Sequence, residues 1–104
     1  MIYKVKAKII KDKVGEFYLK LTDGTLAKQR PDGEEIVDAM KRAVLTESGF
    51  TELYEMCFCP IPLQHERATQ LDFYFTDITT NLVDDYGEVK GESLWSYMAS
   101  RADV

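Results

Sequence analysis

Seven consecutive residues near the start of the chain, Tyr3-Lys4-Val5-Lys6-Ala7-Lys8-Ile9, alternate apolar and lysine side chains without a break. A period of two is the period of an extended strand, whose side chains point alternately to its two faces. This segment can therefore bury its apolar row only by leaving three ammonium groups in water on the other side. A strand with one wet face belongs to an antiparallel sheet or to a sheet edge, and a lysine ladder also discourages unwanted strand pairing. The expectation is a small, mainly antiparallel sheet covered on one face only.

The rest of the chain supplies the cover. Asp12 is placed to cap a helix in which Val14, Phe17, Tyr18 and Leu21 fall on one side, ending near Asp23-Gly24. Thr25 to Arg30 fits strand, loop or helix equally. In Pro31-Asp32-Gly33-Glu34-Glu35, Asp32 can cap a second helix whose positive end holds the acidic pair. Its apolar stripe is Ile36, Val37, Met40 and Val44, and Ser48-Gly49 ends the segment. Phe50 to Phe58 reads as a strand with Tyr54, Met56 and Phe58 on one face and Leu53, Glu55, Cys57 and Cys59 on the other. Beyond Pro60 the periods conflict: Leu71, Phe73 and Phe75 alternate as in a strand, while Leu63, Leu71, Tyr74, Phe75 and Ile78 form a helical stripe. The helix formers of Gln64-His65-Glu66-Arg67-Ala68 favour a helix over 63–77. Thr79 to Val83 is β-prone, Tyr86 to Val89 is expected as a last short strand, and Leu94, Trp95, Tyr97 and Met98 mark a C-terminal helix.

This order predicts an α+β fold, a small mainly antiparallel sheet with helices gathered on one face. It is similar in architecture to ferredoxin-like folds, including those that pair their sheets into dimeric α/β barrels, a resemblance that implies a homodimer. At 104 residues there is room for one domain, spanning 1–104. No apolar run approaches the length of a membrane helix, and the lysine alternation lacks the continuous apolar middle of a signal peptide. A soluble cytosolic chain with its two cysteines as thiols is the expectation.

The formal net charge of −5 excludes binding to nucleic acid or an anionic membrane by bulk attraction. It hides an asymmetry. Residues 1–50 carry ten Lys+Arg against eight Asp+Glu, and residues 51–104 carry three against ten. Such a layout permits charge-guided self-association, or a non-catalytic module that holds a protein partner on its lysine face or its acidic half.

Reactive groups concentrate in Cys57-Phe58-Cys59-Pro60-Ile61-Pro62-Leu63-Gln64-His65-Glu66-Arg67. In an extended strand both thiols share a face, and with His65, the only histidine, and Glu66 they would suit zinc or another thiophilic ion. The second ligand pair of a structural zinc site is missing, so packing of Cys57 and Cys59 as small hydrophobes is the simpler account. A redox pair, or a Cys–His nucleophile, would need a nearby cation or helix start to hold the thiolate, and His65 and Arg67 are the candidates. Arg67 would hold a carboxylate or phosphate while His65 moves a proton. The catalytic candidates are therefore Cys57, Cys59, His65, Glu66 and Arg67. The acidic pairs Glu34-Glu35 and Asp84-Asp85 read as cap and loop residues. No phosphate loop, nucleophile elbow or zincin motif is present, so no cofactor is expected.

Aromatic residues offer a different site. Tyr54, Tyr74, Tyr86 and Trp95 are candidates to line an apolar cleft with hydroxyl and indole handles for a small organic ligand. The leading expectation is thus a self-associating α+β protein that binds such a ligand. A metal or thiol-redox protein centred on Cys57, Cys59 and His65 is the alternative.

Overall fold

The computed structural model describes residues 1–102 and shows a small α+β fold. The lysine-alternating segment is strand β1 (Ile2–Ile9), with Tyr3, Val5 and Ala7 buried beneath the helices. A short 3-10 turn at Lys11–Lys13 leads into helix α1 (Val14–Thr22), which buries Val14, Phe17 and Leu21. Asp12 makes no side-chain cap; it lies inside that turn. Gly24 closes the segment with a φ of 89°, a conformation that costs glycine little.

Helix α2 (Gly33–Arg42) buries Ile36, Val37, Ala39 and Met40. It stops before Val44, which belongs instead to a two-residue strand, β2 (Val44–Leu45). The Ala43 backbone is already extended, and the β-branched Val44 pairs with Glu52 of the next strand, so sheet pairing takes the residue from the helical stripe. Strand β3 (Thr51–Met56) follows, with Thr51, Leu53 and Glu55 inward.

Helix and strand share the ambiguous region. Helix α3 (Gln64–Glu66), a wide π turn (Arg67–Leu71) and helix α4 (Asp72–Tyr74) run continuously, and strand β4 (Phe75–Val83) begins at once. The helix expected over 63–77 ends three residues early because β1 needs a partner on its outer edge. Phe75 pairs with Ile9 and Thr76 with Lys8, and the threonine-rich run that follows suits a strand. Tyr86 to Val89 is not a strand. The last strand is β5 (Glu92–Ser93), paired with β2 and followed by helix α5 (Leu94–Ala102).

The sheet is antiparallel throughout, in the order β4-β1-β3-β2-β5. β3 lies between β1 and β2, and β1 lies between β3 and β4, so the two helix-linked strand pairs interleave. On the covered face, the Phe17 ring stacks on Tyr74 at 4.5 Å and meets the edge of Phe75 at 5.8 Å. The Tyr74 hydroxyl donates to Glu16 Oε2 at 2.5 Å, tying α1 to α4. On the open face Lys4 pairs with Glu52 across the β1–β3 ladder, and the ammonium groups of Lys6 and Lys8 sit over the Phe50 ring. No helix among the described residues is long and apolar enough to cross a membrane.

Candidate functional site

The period-two alternation of β3 dictates the first element of the site. Thr51, Leu53, Glu55 and Cys57 form one inward row, so a glutamate enters the core between two apolar positions and is 0% exposed. Burying a carboxylate without donors is costly, and the group answers by holding its proton. Among the described residues no donor from backbone, amide or amine reaches either oxygen of Glu55. The group facing it is Glu66 of α3, itself 1% exposed, whose Oε2 is likewise unpartnered.

Two carboxylates in contact repel, whereas a protonated carboxyl donates a hydrogen bond to its neighbour. Burial, reinforced by the bond to Glu66, holds the Glu55 carboxyl well above the ordinary carboxylate range. Burial likewise pushes Glu66 up to about 7, against the lowering effect of the bond from Glu55; the charges of Asp32 and Glu35 raise it further and that of His65 lowers it. Both carboxyls are thus biased toward their protonated forms.

Glu66 opens on a cleft of about 380 Å³, lined also by Pro31, Asp32, Glu35, Met56, Cys57, Phe58 and Cys59. Three pieces of backbone build it: the start of α2, the end of β3 with the loop after it, and α3. Glu35, on the first turn of α2, accepts the Met56 N–H at 2.7 Å through Oε2, and the same oxygen lies 3.5 Å from Arg42 Nη2. The acidic wall is thereby pinned to the strand end. Phe58 stands 83% exposed at the lip, and Met56 is also exposed.

Asp32 stands at the N-cap of α2 yet makes no side-chain bond to the helix. Its carboxylate turns sideways: Oδ2 lies 2.6 Å from His65 Nδ1, and Oδ1 accepts from Gln29 Nε2 at 2.7 Å. Gln29 also donates to Thr69 Oγ1, and Gln70 Nε2 donates to Gln29 Oε1 at 2.8 Å. Thr69 in turn donates to the His65 carbonyl. The π turn brings Thr69 and Gln70 onto this network; such wide turns occur often beside functional sites. Asp32 thus occupies the N-cap position without capping through its side chain, because the His65 ring nitrogen and the Gln29 amide engage its two oxygens.

The remaining sequence candidates disperse. Cys57 is buried, burial pushes its thiol up, and its Sγ accepts the Cys59 N–H at 3.3 Å. Both cysteines are free and reach the cleft wall, but His65 is turned to Asp32, and among the described residues no three His, Cys, Asp or Glu side chains converge to hold a metal ion. Arg67 Nε pairs with Asp72 at 2.9 Å on the surface. Tyr74 is locked in the core. Tyr54 and Tyr86 meet edge to face, with the Arg42 guanidinium over Tyr86. Trp95 packs on Tyr18 beneath Lys41. The four aromatic candidates thus occupy three separate places, and none lines the cleft.

Sequence reasoning missed Glu55, Asp32, Glu35, Gln29 and Gln70 as site residues. The signal for Glu55 was on the page, since it is the one charged side chain in the inward row of its strand. Glu35 and Asp32 were masked by their ordinary use at a helix start. Comparison with protein families, curated proteins and solved structures finds no match to this chain.

Proposed function

We propose that this chain is a cytosolic, self-associating protein that binds a small organic ligand in the cleft between α2, α3 and the end of β3. The observation that carries the reading is the cleft's construction: an exposed apolar lip of Met56 and Phe58 above a buried carboxyl with an unpartnered oxygen. Small-molecule sites characteristically join an apolar wall to a few fixed polar groups, and here the network through Gln29, Asp32 and Gln70 supplies the fixing. The interleaved strand order supports a ferredoxin-like reading of the architecture. The nine-residue β4, with no strand on its outer side among the described residues, supports self-association at that edge.

The metal and thiol-redox alternative is less favoured, since its three residues do not converge and the Cys57 thiol is held protonated by burial. The test is a fragment screen read by amide NMR. Binding in the cleft moves the Met56, Cys57, Phe58 and Cys59 amides together, and Phe58→Ala weakens it several-fold. Fragments that shift only the Tyr54–Tyr86 region, or none that bind, would overturn the reading.

A further inference from the structure

We propose that the ligand of this cleft is an organic ammonium ion, with its N–H donors on Glu66 and Glu35 and its apolar body against Met56 and Phe58. The inference deepens the ligand-binding reading and rests on it. Its first support is that Glu66 is 1% exposed, lines the cleft, and has a buried Oε2 with no hydrogen-bond partner among the described residues. Glu35 commits Oε2 to Met56 and Arg42, which leaves Oε1 for a guest. A carboxylate or phosphate guest would meet three acidic side chains, while the nearby donors of Arg42 and His65 are already engaged by Glu35 and Asp32. A bare metal ion would need several ligand atoms on one point, and no three candidate side chains provide that. A protonated amine needs only separate acceptors and an apolar wall, and both are present.

The ionised form of Glu66 is the acceptor. The groups that face it are Glu55 from β3, Asp32 and Glu35 from α2, and His65 from its own helix, with the Cys57 thiol beside Glu55. Because the group titrates at about 7, binding of an amine that stays protonated tightens about tenfold from pH 6 to pH 8. At pH 6, where Glu66 is mostly protonated, close to one proton leaves it for solvent as the ammonium arrives; at pH 8 the group is already largely ionised and little is released.

The experiment titrates benzylamine, its neutral isostere benzyl alcohol, and magnesium and zinc chloride separately into the full chain, reading the Met56, Cys57 and Cys59 amides by NMR. At pH 8 benzylamine is expected to bind at least tenfold more tightly than benzyl alcohol and to lose that advantage at pH 6. Glu66→Gln is expected to abolish both the preference and the pH dependence while keeping benzyl alcohol binding. The pH series on the unaltered chain decides the matter if that variant does not fold. Equal, pH-independent binding of the two probes would overturn the ammonium assignment and leave the cleft reading standing. A response to a metal salt that excludes benzylamine would overturn it in favour of a metal. No response to any probe would remove both readings.

Discussion

Glu55 and Glu66 bind protons more tightly in the fold than in the unfolded chain, where both would titrate near the ordinary 4.5. For an acid whose folded-state value is raised, the native state retains protons that the unfolded state has released. The contribution of this pair to stability is therefore greatest at and below about pH 4.5; that of Glu66 is lost as pH rises from there through about 7. For Glu66 alone the fall is on the order of 3 kcal/mol. Glu55→Gln keeps the shape and the donor but removes the group that resists ionisation. Urea unfolding is expected to show this variant close to the parent at pH 5 and about 1–3 kcal/mol more stable at pH 8. A variant less stable than the parent at both values would mean that the carboxyl pair stabilises the fold, contrary to this account.

At the scale of elements, the site depends on how the turn after α1 delivers the start of α2. Gly33 donates its N–H to the Gln29 carbonyl, and a Cβ there would drive into the Leu26 carbonyl. Leu26 is wholly buried and cannot give way easily. Gly33→Ala is thus expected to cost about 1–3 kcal/mol in thermal or urea unfolding, and to displace Asp32 from His65. The segment around Leu26 is also where the sequence was least legible, since 25–30 matches no period. Its structure is a series of turns fixed by long-range bonds, from Gln29 to Thr69 and Gln70, which no local pattern encodes. The strand alternations of Tyr3–Ile9 and Leu53–Cys57 and the stripes of α1 and α2 were legible because burial of one face leaves a period in the residues. The hand-over at Tyr74–Phe75 was not, because an aromatic run satisfies both periods and only pairing with Ile9 decides between them. Of the site, the loop carrying Cys57, Cys59, His65 and Glu66 was found from its reactive side chains. Their partners on α2 and β3 were not, since contacts across dozens of residues are written in the fold alone.

For the molecule as a whole, the lysine ladder that dictates the fold is partly paired within it. Lys4 pairs with Glu52, Lys8 lies 3.9 Å from Asp77, and Phe50 receives two ammonium groups on its ring. The two ion pairs offset part of the positive charge of the open sheet face, and Lys6 keeps its own. The outer edge of β4 beyond the irregularity at Asp77, where Leu82 is exposed, is the surface proposed for a second copy. Sedimentation at rising concentration is expected to show a monomer–dimer equilibrium that Thr80→Pro, which interrupts β4 in mid-strand, shifts to monomer. A monomer at all concentrations would remove self-association. The raised proton affinity of the two buried glutamates at the cleft floor underlies the whole site. Its most direct test is carboxyl ¹³C NMR of glutamate-labelled protein across pH 3 to 9. One glutamate, identified by its loss in Glu66→Gln, is expected to titrate at about 7, and a second, identified by its loss in Glu55→Gln, well above 4.5. Titration of every glutamate near 4.5 would contradict it.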